Sequence, residues 1–136
     1  MTAIRRRFEL SLLPECFAIA RLMPGAPVPS WAAQSSFFSV TRSADELSVV
    51  TMTRNIPEGV QKQANWRALR VRGSFALSEI GVLSALAAPL ADAKISLFVI
   101  STFDTDYLLV SSESLPAAVA ALEKAGHKVQ DAELDS

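Results

Sequence analysis

Ile95-Ser96-Leu97-Phe98-Val99-Ile100-Ser101-Thr102-Phe103-Asp104-Thr105-Asp106-Tyr107-Leu108-Leu109-Val110 is the stretch on which the fold turns. Residues Ile95 to Ser101 are apolar at odd and even positions alike, the pattern of a central strand covered on both faces. Thr102 to Thr105 supply turn chemistry, and Tyr107 to Val110 returns as the antiparallel partner. On the N-terminal side, Ser78 reads as a helix cap with Glu79 in the first turn. Ile80, Leu83, Leu86, Ala87 and Leu90 form a helical stripe, and Pro89 predicts a kink or an early end. Before that helix, Leu69, Val71, Gly73 and Phe75 share one face of a strand running from Trp66 to Phe75. On the C-terminal side, Ser114 caps a helix with Pro116 in its first turn and Leu115, Ala118, Val119 and Leu122 inward. Lys124 complements its dipole, Gly126 sits at C′, and His127 to Val129 closes the run as a strand. Strand, helix, strand, strand, helix, strand is the split β-α-β unit of ferredoxin-like folds, an α+β class.

The first half repeats this order with shortened helices. Phe8, Leu10 and Leu12 alternate as a strand, Pro14 and Glu15 break it, and Cys16 to Leu22 forms another. Pro24, Gly25, Pro27 and Pro29 leave room for a short helix around Ser30 to Gln34. Phe37 to Arg42 and Leu47 to Thr53 make a hairpin through Ser43-Ala44-Asp45, and Asn55 to Asn65 reads as a loop. Phe37 to Thr41 and Glu46 to Val50 resemble Leu97 to Ser101 and Asp106 to Val110 at a constant offset of 60 (37 to 97, 46 to 106). This favours duplication, with units at 1–65 and 66–136.

Composition narrows the function. With 50% hydrophobic and 20% charged residues, the 136-residue chain is not disordered. Thirteen basic against fourteen acidic side chains argue against a polyanion partner. No run approaches the roughly 18 apolar residues of a membrane span. Arg5, Arg6 and Arg7 are followed by Glu9 and Pro14, which interrupt any signal-peptide core. A single cysteine, Cys16, excludes an internal disulfide and fits a reducing, cytoplasmic setting, where it reads as a small core residue. The lone histidine, His127, reads as structural. No phosphate-binding glycine loop, metal cluster or nucleophile accompanies the acids Asp104 and Asp106, so neither cofactor nor catalysis is expected. Arg72-Gly73-Ser74-Phe75 lacks the paired aromatics that stack RNA bases.

Leu13-Pro14-Glu15-Cys16-Phe17-Ala18, Phe38-Ser39-Val40-Thr41-Arg42, Asp45-Glu46-Leu47-Ser48-Val49-Val50, Trp66-Arg67-Ala68-Leu69-Arg70-Val71 and Ser101-Thr102-Phe103-Asp104-Thr105-Asp106-Tyr107 resemble the small bacterial tandem ACT-domain proteins. Their relatives include the regulatory regions of aspartate kinases and the animal cytosolic arginine sensors. Gly81-Val82-Leu83 and Pro89-Leu90-Ala91 fit the same pattern. The resemblance implies two ferredoxin-like ACT units side by side, with antiparallel sheets and helices on one face. It also implies an amino acid held between a strand–helix loop of one unit and a hairpin of the other. Residue by residue, Thr102, Phe103 and Asp106 match the sensors' Thr-Phe-x-x-Asp run, and Ser39 and Val40 match the first-unit strand of that site.

Such a site suits a zwitterion. Free backbone N–H groups at the helix start, spanning Ser78, Glu79, Ile80 and Gly81, would face a carboxylate. Asp104 or Asp106 would hold the ammonium, and Thr102 would add a hydroxyl. Other readings stand beside these. Aspartates favour turns by bonding their own backbone, Ser78 reads first as a plain helix cap, and Gly81 is excused by close packing on the sheet as well as by a ligand. The expectation is a non-enzymatic amino-acid sensor, a homodimer with an unidentified protein partner. The alternative is a structural or protein-interaction module with a vestigial ligand site.

Overall fold

A computed structural model of the chain describes residues 7–72 and 81–131. Its elements are β1 (Glu9–Leu22), β2 (Ser39–Arg42), β3 (Leu47–Met52), β4 (Lys62–Val71), α1 (Val82–Asp92), β5 (Leu97–Ser101), β6 (Asp106–Ser111), α2 (Leu115–Lys124) and β7 (Lys128–Asp131). Short 3-10 turns occupy Ser30–Ala33 and Thr53–Asn55. The α+β class is as expected. Internal contacts group Glu15–Trp66 as an inserted unit, and Met1–Pro14 with Arg67–Ser136 as a discontinuous one. This division differs from consecutive blocks of 1–65 and 66–136, because the N-terminal strand pairs with elements at the far end of the chain.

In the discontinuous unit the strands run β7, β1, β4, β6, β5. Leu10, Leu69, Val71, Leu108 and Val110 project from one face of these strands. They meet Val82, Leu86 and Leu90 of α1 and Ala118 and Leu122 of α2 in a single buried cluster. The i, i+4, i+8 spacing on α1 is what turns one helical stripe onto the sheet. Truncating Leu86 or Leu90 to alanine removes a fully buried side chain, a change that costs about 2–5 kcal/mol.

Two features depart from the expected order. First, β1 lies between β4 and β7. Arg72 N–H donates to the Glu9 carbonyl at 2.8 Å, and β7 pairs in parallel from Glu9↔Lys128 to Leu12↔Asp131. A strand of alternating pattern offers hydrogen-bonding groups along both its edges, so the N-terminal segment fits between two neighbours. Second, among the described residues β5 is an edge strand, paired with β6 alone. Its Leu97, Phe98, Val99 and Ile100 are half-buried. Unbroken apolarity reports cover on both faces, not the number of strand neighbours.

Pro89 lies inside α1 without ending it. Proline has no N–H to give the carbonyl one turn back, that of Ala85. His127 supplies the missing donor: its Nε2 lies 3.0 Å from the Ala85 oxygen. Its Nδ1 accepts the Phe8 N–H at 3.1 Å, which puts the ring proton on Nε2. His127 is delivered there by the end of α2. Gly126, in the left-handed region at φ +99, donates to Glu123, and the next N–H, of His127, donates to Leu122 at 3.0 Å. That is a Schellman cap.

In the inserted unit the strands run β2, β3, β1, β4. Ala18, Ala20, Leu47 and Val49 form the sheet's share of a second core, covered by Ala32, Ile56, Trp31 and Val60. Among the described residues this core is covered by irregular chain and two 3-10 turns, not by α-helices.

β1 runs unbroken through Pro14. Even-numbered residues of β1 address β7 and β3. Pro14 falls between the last β7 pair, Leu12↔Asp131, and the first β3 pair, Phe17↔Met52. No ladder needs its N–H, so the break expected at Pro14 and Glu15 does not occur. Cys16, expected in the core, lies in the same unladdered stretch and is exposed.

Candidate functional site

The hairpins β2–β3 and β5–β6 share one turn design. Arg42↔Leu47 closes the first and Ser101↔Asp106 the second, each around four residues. Both loops begin with a hydroxyl side chain. Ser43 N–H donates to the Glu46 carbonyl at 2.9 Å, and Ser43 Oγ accepts from Asp45 N–H at 3.2 Å and Glu46 N–H at 3.3 Å. Thr102 N–H donates to the Thr105 carbonyl at 2.7 Å, and Thr102 Oγ1 accepts the Thr105 N–H at 3.1 Å. A hydroxyl at this position stands in for a backbone partner and tightens the turn.

The geometry therefore relates the hairpins by 59 residues (42 to 101, 47 to 106), not by the 60 of the sequence match. One residue exchanges the two faces of a strand. Asp106 is the counterpart of Leu47, and Glu46 is the counterpart of Thr105.

That correction exposes an anomaly. Leu47 is 0% exposed and packs in the inserted unit's core. Asp106 is 8% exposed, on the same face of β6 as Leu108 and Val110, which pack under α1 and α2. Among the described residues no hydrogen bond or ion pair reaches its carboxylate. Its oxygens are not among the fully buried polar atoms that lack partners, yet the position forgoes the roughly 2 kcal/mol that an aliphatic chain would contribute there.

Thr105 fixes the hairpin beside this group. It is 3% exposed, and its hydroxyl donates to the Val71 carbonyl at 2.7 Å. Val71 is the last residue of β4. α1 opens with Gly81 as N-cap, in the left-handed region at φ +88. Space is free around a Cβ built there, so backbone conformation, not close packing on the sheet, calls for glycine. Val82, first in α1, shares the buried cluster with Leu108 and Val110.

The other expected site residues are dispersed. Ser78, Glu79 and Ile80 lie outside the described residues, and the cap of α1 is Gly81, not Ser78. Thr102 Oγ1 also donates to the Thr105 carbonyl at 3.1 Å, so its hydroxyl is committed to the turn in both roles. Phe103 is 84% exposed at the hairpin tip, and Asp104 beside it is exposed. Val40 packs in the inserted unit's core. Ser39, one position before it, is paired with Val50 and stands on the opposite face. Thr105 was not singled out in the sequence, since a threonine in a turn reads as turn chemistry alone.

Among the described residues no cluster of His, Cys, Asp and Glu is arranged to hold a metal, and no helix is long and apolar enough to cross a membrane.

A family model for the ACT domain matches residues 61–124, and a second model, for an N-terminal domain, matches residues 15–59. The human cytosolic arginine sensor for mTORC1 subunit 1 is 35% identical over 60 residues, 43% of this chain and 18% of that one. The chain spans from 18% to 57% of the length of the curated relatives it matches first. An X-ray structure of a protein from Agrobacterium tumefaciens is 36% identical, with a TM-score of 0.89 over 94% of this chain and 96% of that one. The regulatory subunit of aspartate kinase from Thermus thermophilus, at 11% identity, superposes with a TM-score of 0.62 over 86% and 96%. At that identity the likeness is one of fold.

Proposed function

The chain belongs to the ACT-domain family, and we propose on that premise that it is a non-enzymatic regulatory protein that binds a free amino acid in the cytoplasm. One observation carries the reading: the side chain of Asp106, 8% exposed, on the face of β6 that packs under the helices and at a position where the twin hairpin has leucine. A ligand ammonium is the group that would offset its burial by a charge-assisted bond. The ligand carboxylate would meet the N–H groups in the first turn of α1, which have no partners within the helix, at the positive end of its dipole. Thr105 would then serve as a positioning residue, since its bond to Val71 holds the hairpin to the strand that leads into α1. Binding would draw hairpin and helix start together and so bias association with a protein partner. β5 supports a second copy as one such partner, because an edge strand apolar on both faces invites pairing.

The test is a thermal-shift screen of the twenty amino acids. A ligand present at about 100 times its Kd stabilises by about 2.7 kcal/mol, a clear rise in Tm. The expected result is a rise with one or a few amino acids that vanishes in Asp106→Asn, which keeps the shape and removes the charge. An undiminished rise in Asp106→Asn overturns the site. A flat screen favours the alternative, an interaction module with a vestigial pocket.

A further inference from the structure

We infer that His127 is an acid-sensitive latch: a proton taken up on its Nδ1 releases Phe8, and with it the start of β1, from the ring. His127 is 5% exposed, and backbone groups far apart in the chain occupy both of its nitrogens. Nδ1 accepts the Phe8 N–H at 3.1 Å, and Nε2 lies 3.0 Å from the Ala85 carbonyl oxygen. The Phe8 ring also stacks on the imidazole, with centroids 5.8 Å apart. Lys128 N–H in turn donates to the Phe8 carbonyl at 2.9 Å, where the parallel ladder of β1 and β7 begins.

Only neutral imidazole can make this pair of bonds. Imidazolium carries a hydrogen on each nitrogen and accepts on neither. Its Nδ1 hydrogen would face the Phe8 N–H, two donors 3.1 Å apart, while Nε2 kept its bond to Ala85. Opening relieves the conflict, because Phe8 moves away and water takes both hydrogens. The closed form requires the neutral ring and the open form accepts either, so the open form binds more protons and gains population as pH falls.

The charged groups around the ring do not offset a proton there. Ahead of β1, the Arg7 side chain passes Gly126, its Nε 3.3 Å from the position a Cβ would take, and brings a second positive charge close. Glu9 and Lys128 are ladder partners on the sheet face opposite Leu10 and Val129, which pack beneath the helices. Asp131 lies at the far end of β7, paired with Leu12. The one charged residue of α1 is Asp92, about two turns beyond Ala85. Glu123 and Lys124 of α2 are exposed. The C-terminal end of α2 favours a cation, but the carbonyls of Leu122 and Glu123 already accept the N–H groups of His127 and Gly126. Among the described residues no ion pair reaches His127.

His127 is the only histidine in the chain, so nitrogen NMR of the full chain follows this one ring through an acid titration. At about pH 8 the spectrum should show the neutral tautomer with its proton on Nε2. As the ring protonates, amide-exchange protection at Phe8 and Lys128 should fall about tenfold, while the hairpin β2–β3 keeps its own. His127→Gln donates and accepts but does not titrate, and should hold the protection of both amides constant over the same range. A neutral tautomer with its proton on Nδ1 overturns the proposal, as does a protonated ring with Phe8 and Lys128 still protected. Both results are read on the parent chain, so they decide the matter even where the variant fails to fold. An equal loss of protection in a folded His127→Gln would overturn it too, by tracing the acid response to another group.

Discussion

Set side by side, the hairpins β2–β3 and β5–β6 differ less in architecture than in one buried side chain. Each closes four residues, opens its loop with a hydroxyl, and repeats the same N–H to carbonyl bond across the turn. At the first residue of the outgoing strand one has Leu47 and the other Asp106, both nearly sealed from solvent. A turn that forms equally well around either residue does not select between them. The turn alone therefore does not account for the aspartate, and the contrast with Leu47 is what the proposed ligand site would explain.

Exchanging the two residues breaks this comparison most directly. Leu47→Asp places an uncompensated charge in the inserted unit's core and should lower stability by about 4 kcal/mol, read as a fall in the urea midpoint. A loss under 1 kcal/mol would mean that the position tolerates charge for reasons of local structure. Asp106→Leu should do the opposite, raising stability by about 1–2 kcal/mol while abolishing the amino-acid-induced rise in Tm. A destabilised Asp106→Leu would show that the carboxylate is satisfied within the fold. The smallest effect sharpens the contrast one residue earlier. Thr105→Val removes a buried hydroxyl bond and should cost about 1 kcal/mol, whereas Glu46→Ala, at the matching position of the twin, should stay within about 0.5 kcal/mol.

How far the sequence could be read follows from the range of its interactions. The two α-helices, both hairpins and the Gly126 cap were legible because their signals are local: stripes of period 3.6, turn residues, a glycine past a helix end. The positions of β1 and β5 within the sheet were not, since apolar alternation records burial and is silent about neighbours. Pro14 and Pro89 misled for a related reason. Each removes an N–H, and whether that breaks an element depends on a distant partner: a gap between two ladders for Pro14, the His127 ring for Pro89. At the site, Asp106 was legible as a candidate by residue type and spacing. Its counterpart was not, because a one-residue error in the repeat aligns it with Glu46 and hides the contrast with Leu47. Thr105 required the Val71 carbonyl to be seen.

The threading of β1 between β4 and β7 also has a consequence for biogenesis. Phe8 and His127 are 119 positions apart, yet their bond and the adjoining parallel ladder close the discontinuous unit. A nascent chain emerging from the ribosome can assemble the ladders of residues 15–66 early, all of their partners being at hand. Its first strand must keep one side vacant until Lys128 has been synthesised, so this sheet closes only after its most distant partner has been made.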